Sequence, residues 1–124
     1  MSQTMKIQPI NSIVFVYGDS NAEVPAELVD PEVSLVAASA DALIVCVYPE
    51  VDGETELTFG VAAEIDPGWA PGFIGIVNTP ALEILIETVD RQIIVRQSVP
   101  STRTALRIWF SHSRWPDRVL IGID

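Results

Sequence analysis

The residues of this chain with usable chemistry are few, and most of them are singletons. His112 is the only histidine and Cys46 the only cysteine. Ser111-His112-Ser113, with Asp117 close behind, has the residue types of a hydrolytic triad. A triad is defined by geometry and not by composition, and the plainer account of His112 is an exposed loop histidine. Cys46 sits inside Ala42–Tyr48 (ALIVCVY), the longest apolar run. No basic or histidine neighbour in sequence would lower its thiol pKa, so it reads as a small buried hydrophobe. Glu50, Asp52, Glu54 and Glu56 place a carboxylate at every second position. Hard cations such as calcium take clustered carboxylate oxygens, but the run matches no EF-hand loop, and zinc has too few His and Cys ligands here. A solvated hairpin tip is the plainer account. There is no Walker A or dinucleotide glycine pattern. The reading assigns no catalytic residue, no metal and no cofactor.

Tryptophan and arginine carry more weight, because both are enriched at binding hot spots. Trp69 lies between Pro67-Gly68 and Pro71-Gly72, and Trp115 precedes Pro116, so both sit in stiff loops. Trp109 falls on the arginine-bearing face of its strand. The plainer account has Trp69 and Trp115 capping the ends of the fold. If the two loops share one end, they form with Arg114 an aromatic-rimmed binding site.

Charge is unevenly spread along the chain. Residues 1–80 hold twelve carboxylates against Lys6, and residues 81–124 hold five carboxylates against six arginines. The net charge is −10 and the pI about 4.3. That balance disfavours nucleic acid, which is bound through basic patches, and anionic membranes. It favours a basic protein partner. Arg91, Arg96, Arg103, Arg107 and Arg118 lie in or beside strands, where they can pair across to Glu83, Glu87 or the acidic N-terminal strands.

The elements that must position these groups are short extended runs separated by Pro, Gly, Asn and Asp. Alternation marks Ser12–Tyr17, Glu32–Ala38, Ala42–Tyr48, Thr55–Ala62, Phe73–Val77, 82–87, Gln92–Gln97, Arg103–Ser111 and Arg118–Asp124. Ser39-Ala40-Asp41 reads as a tight turn. Asp52-Gly53 reads as a type I′ hairpin turn, which needs positive φ at both central residues. Pro25 and Pro31 limit any helix in 22–31 to about a turn. The pattern predicts one all-β domain over 1–124, an antiparallel β-sandwich or flattened barrel of about 8–9 short strands with little or no helix. Residues 1–11 are expected as a loosely ordered N-terminal arm.

The hydrophobic fraction of 48% and mean hydropathy of +0.33 exceed what a membrane-free single domain usually needs, yet no run approaches the ~20 residues of a membrane span. Strands buried on both faces, or a self-association surface, would absorb the surplus, and a homodimer or higher oligomer is expected. The segment MSQTMKIQPINS has no basic stretch followed by an apolar one, so no secretion signal is read. With a lone cysteine, that fits a reducing cytoplasm.

Two segments resemble known families. Gly18-Asp19-Ser20 after the apolar Ile13–Tyr17 resembles the first block of the GDS/SGNH esterases, in which a strand delivers the nucleophilic serine. That family also has an Asp three residues before its catalytic His, where this chain has Trp109, and it is an α/β fold. A turn is the plainer account of Gly18–Asn21. Over the last third, the alternation of Arg103–Phe110 and Pro116–Ile123 loosely resembles, in pattern and without a diagnostic motif, the acidic β-sandwich inhibitors of competence nucleases. The likeness implies carboxylates that imitate phosphate in a nuclease's basic cleft.

The leading reading is a non-enzymatic acidic interaction module whose candidate contact residues are Trp69, Trp115, Arg114, Glu50, Asp52, Glu54 and Glu56. The alternative is a small ligand-binding or hydrolytic β domain with its site near Trp69, Trp115 and His112.

Overall fold

In the computed structural model, which describes residues 2–124, the alternating runs become ten strands in two sheets packed face to face. In chain order they are β1 (Ser2–Ile7), β2 (Ile13–Tyr17), β3 (Val36–Ala38), β4 (Ala42–Cys46), β5 (Thr55–Val61), β6 (Phe73–Asn78), β7 (Glu83–Glu87), β8 (Ile93–Ser98), β9 (Arg103–Phe110) and β10 (Arg118–Ile123). The only α-helical element among the described residues is one turn, α1 (Ala62–Ile65). The first sheet has the order β1-β5-β10-β9-β6 and the second β3-β4-β2-β7-β8. All pairs are antiparallel except β5 with β10, which run parallel. The predicted all-β sandwich is the observed fold.

Alternation places the core as the strand period requires. Leu57, Phe59, Leu106, Ile108, Val119 and Ile121 of the first sheet meet Val14, Val16, Leu43, Val45, Ile84 and Ile86 of the second. The second sheet is buried on its other face too. Segment 18–35 folds over it, and Ala22 and Val24 pack against Tyr17, Ala42 and Leu85. That is why all five residues of β4 are buried, and it accounts for part of the apolar surplus.

Several expectations need correction. The loose arm expected over 1–11 is, over Ser2–Ile7, an edge strand in register with Gly60–Thr55; Met1 lies outside the described residues. The Asp52-Gly53 hairpin does not form. Both edges of β4 are already occupied by β3 and β2, so β5 cannot pair with it and starts the other sheet. Residues 47–54 therefore cross between sheets, and Gly53 has a positive φ of 150° while Asp52 does not. The strand expected over Glu32–Ala38 is only Val36–Ala38. Asp30 O accepts from Val33 N and Ser34 N, and Ser34 Oγ accepts from Val36 N, which holds the chain in turns up to that point.

Candidate functional site

The topology brings the candidate loops to one end of the sandwich. The 111–115 turn joins β9 to β10. The 66–72 loop leads into β6 and the 47–54 crossover leads into β5, and both strands begin at the end where β9 stops. Glu56 N donates to Asp117 O, and Cys46 N donates to Leu35 O, which draws the acidic 30–35 stretch to the same place. A cleft of about 130 Å³ results, lined by Pro31, Leu35, Pro49, Arg114 and Trp115 among others. A second groove, about 360 Å³, lies beside it and holds Leu35, Ala70 and His112. The 111–115 turn is the ridge between them.

The ridge is built by its own side chains. His112 Nδ1 accepts from Arg114 N and Trp115 N, both at 3.0 Å. Ser111 Oγ donates to Asp117 Oδ1 at 2.8 Å and accepts from Arg118 N at 3.0 Å. A triad needs the histidine to hold its carboxylate through Nδ1–H and to receive the serine proton. Here Nδ1 is an acceptor and the serine proton goes to Asp117, so Ser111, His112 and Asp117 form a turn-capping network. Gly18-Asp19-Ser20 lies at the other end of the sandwich. Asp19 Oδ1 accepts from Asn21 N and Asp19 O from Ala22 N, closing a turn. Gly18 is required there because a Cβ would fall 2.5 Å from Asn78 O. Ser20 is thus remote from His112.

The two loop tryptophans are each covered by an arginine but on different sides. Arg114 stacks over Trp115 at 5.0 Å and pairs with Glu32 at 2.9 Å. Arg118 stacks over Trp69 at 5.9 Å and pairs with Glu56 at 3.2 Å. Trp69 does not cap the end: Trp109 Nε1 donates to Trp69 O at 3.0 Å, pinning the loop on the outer face of the first sheet. Trp109 itself is wholly buried, with Ala62, Ile65 and Leu120 around it.

The carboxylates of the expected hairpin separate. Glu50 is used to tie the crossover: its Oε1 accepts from Asn11 N and its backbone N donates to Ser12 Oγ. Glu56 belongs to Arg118. Asp52 and Glu54 remain exposed, with no ion pair among the described residues. No group of three His, Cys, Asp or Glu side chains among the described residues is placed to hold a metal.

Sequence reasoning passed over a larger set of acids. Asp19, Glu23, Glu27, Asp30 and Glu32 are all exposed on segment 18–35. The signal was present, since residues 18–35 hold five acids and no base, but nothing local said that the segment would lie flat over a sheet. Three of the arginines are committed to carboxylates outside this segment. Arg96 pairs with Glu83, as the cross-strand reading expects, and Arg107 with Asp124 while lying over Trp109. Arg91 donates to Ser20 O. Glu87, the other expected arginine partner, is instead buried with Oε1 unsatisfied. The Glu87 carboxylate and burial hold the Tyr17 hydroxyl proton, with burial the larger cause, and push its pKa up to about 12. Burial also raises the Cys46 thiol, which keeps it protonated and unreactive.

No family model matches the chain, and no curated protein sequence matches it. Among solved structures it is similar to the crystal structure of ComJ from Bacillus subtilis, described as an inhibitor of the DNA-degrading activity of NucA. The TM-score is 0.68 over 98% of this chain and 93% of that one, at 12% identity. The likeness shows a shared fold, a β-sandwich also used by a nuclease inhibitor.

Proposed function

We propose that this protein is an inhibitor-like binding module that seats its acidic cover, segment 18–35 with Asp52 and Glu54, against a basic protein surface. The observation that carries the reading is the row of five exposed carboxylates along segment 18–35, which meets the cleft between Pro31 and Pro49 where Glu32 pairs with Arg114. Among the described residues Arg114 is the only cation lining that cleft. Its guanidinium is already satisfied by Glu32 and Trp115, so it does not neutralise the rest. Arg114 and Trp115 form the rigid anchor, and Asp30, Asp52, Glu54, Glu23 and Glu27 the charged rim. The shared fold with a nuclease inhibitor supports a DNA-degrading enzyme as the partner class, its phosphate-binding cleft occupied by these carboxylates in place of DNA.

The test is capture of basic proteins from native extract, followed by assay of DNA degradation. Raising ionic strength from about 0.01 M to about 0.15 M shortens the Debye length from about 30 Å to about 8 Å, so affinity should fall steeply. Replacing Glu23, Glu27, Asp52 and Glu54 together by neutral amides should weaken binding by about tenfold or more, that is at least about 1.4 kcal/mol, mainly through a slower on-rate. Affinity indifferent to both salt and these replacements would rule the reading out.

A further inference from the structure

A two-layer sandwich with unclosed sheets has four edge strands, here β1 and β6 in the first sheet and β3 and β8 in the second. An edge exposes unpaired N–H and C=O groups and invites another strand, so folded proteins blunt their edges with charge, shortness or bulges. Three of these edges are blunted. β1 carries Lys6, β3 is three residues long, and β8 carries Arg96 beside a register shift opposite Ile86/Glu87. β6 (FIGIVN) is six residues long, uncharged and free of proline. It also presents Ile74 and Ile76, 69% and 48% exposed, on its outer face.

The backbone of β6 says which groups are free. Thr79 N donates inward to Thr102 O, whereas Asn78 N turns outward to Ala40 O. Orientation alternates along a strand, so the N–H and C=O of Ile76 and Ile74 point out from the sheet. Among the described residues nothing is bonded to them.

We infer that β6 is the contact strand of a symmetric homodimer, in which two copies pair antiparallel about a two-fold axis through Gly75 and join their first sheets into one. In that register Ile74 of each copy faces Ile76 of the other in a hydrogen-bonded pair, and each pair exchanges both N–H···O bonds. Isologous contact of this kind needs a self-complementary patch, and the sequence Ile74-Gly75-Ile76 is palindromic about its centre. Gly75 itself sits at the axis, where opposed Cα atoms approach to ~4.5 Å, and the Phe73 ring of the same strand fills the place its side chain would take, 2.6 Å from where a Cβ would fall. Charge selects this edge as well. Two copies each carrying −10 repel, but the ionic groups bordering β6 are the closed Arg107–Asp124 pair and Arg103, opposite Ile74 and Asn78 on the far side. Asp41 is held by Asn78 Nδ2 at 2.9 Å. Asp19 and Asp41 line a groove with Asn78 at the last residue of β6, whereas Ile74, Gly75 and Ile76 have Arg107, Leu106 and Ala105 in register and no carboxylate, so like charge is thinnest at the middle of the strand.

Sedimentation of the full chain from about 1 μM to about 1 mM, a range that brackets weak to firm association, should show its mass doubling from 13.5 kDa. Ile74→Lys should return it to monomer by setting a charge against the apposed isoleucine. Ile74→Pro should do the same by deleting an outward N–H that the monomer does not use, leaving the thermal melt of the monomer in place. In the wild type, amide exchange at Ile74 and Ile76 should slow with rising concentration. A wild-type protein that stays monomeric throughout, a dimer that survives both replacements, or exchange at Ile74 and Ile76 that ignores concentration would each overturn the inference.

Discussion

Gly122 offers the sharpest test of how the first sheet is covered. It lies in β10 beneath α1, and a Cβ added there would fall 2.7 Å from Ala62 Cα, 2.9 Å from Ala62 Cβ and 3.0 Å from Trp109 Cζ3. The first of these is backbone, so no rotamer change can relieve it. Gly122 has no positive φ, so alanine meets no conformational strain. Gly122→Ala therefore isolates a steric term. Forcing a methyl into a packed layer costs about 1–3 kcal/mol. Stiffening the unfolded chain by Gly→Ala returns about 0.4–1 kcal/mol. The net expectation is a loss of about 1–2 kcal/mol, which at an m-value near 2 kcal/mol/M moves the urea midpoint down by about 0.5–1 M. Trp109 is the natural reporter, since it touches the intruding atom and its Nε1 donates to Trp69 O. Ala62→Gly in the same chain should recover only part of the loss, because the clash with the helix backbone at Ala62 remains. A Gly122→Ala protein as stable as wild type, or more stable, would mean that α1 does not lie on β10 and that Trp109 is covered by something else.

Two further outcomes follow from the polar groups. Tyr17 has a folded pKa of about 12 against 10.0 unfolded, so the unfolded chain loses this proton first as pH rises. Its contribution is complete below pH 10 and is lost between pH 10 and about 12, a fall of up to about 3 kcal/mol at 1.36 kcal/mol per unit. Tyr17→Phe should flatten that limb of the stability–pH curve, and an unchanged limb would refute the assignment. His112→Ala should cost about 1 kcal/mol by stranding the two amides its Nδ1 accepts, while His112→Asn should keep most of it, as for other side-chain caps. Chemical denaturation of both variants checks this, and equal stability of the two would show that capping is not its role.

Much of the sandwich was legible because burial follows a two-residue period within each strand. Leu57 and Phe59 face in while Glu56 and Thr58 face out, and Leu106 and Ile108 face in opposite Arg107, as alternation alone says. Pairing was not legible, because it depends on which edges remain open. The Ala42–Cys46 strand and the Thr55–Val61 strand are joined by a turn-like sequence yet lie in different sheets, since β2 and β3 take both sides of β4. The Ser2–Ile7 strand was missed for a related reason. Its pattern is mostly exposed, with Met5 and Ile7 alone packing on the core, and only its pairing with β5 makes it a strand. Trp109 shows the limit for the site. Its face was correct, but its complete burial comes from α1 and the Trp69 loop, which reach it only because Gly122 lets a helix backbone approach the sheet.

The lopsided charge of the chain also changes meaning once folded. The arginines cluster in the C-terminal half because β8, β9 and β10 line up beside carboxylates that can receive them: Arg96 on Glu83, Arg107 on Asp124, Arg118 on Glu56. Exposed pairs of this kind contribute only about 0–1 kcal/mol each, and the stacking of Arg107 and Arg118 on tryptophan adds about 0.5–1 kcal/mol. Their larger effect is electrostatic. Each closed pair removes one positive and one negative charge, two of the pairs on the first sheet and Arg96–Glu83 on the second. Among the described residues Glu32 is the one acid of segment 18–35 in an ion pair, with Arg114, and Arg91 reaches the segment through Ser20 O. Segment 18–35 over the second sheet keeps five exposed carboxylates, and the crossover adds the exposed Asp52 and Glu54. Under the proposed function, these carboxylates are the groups that would steer a basic partner.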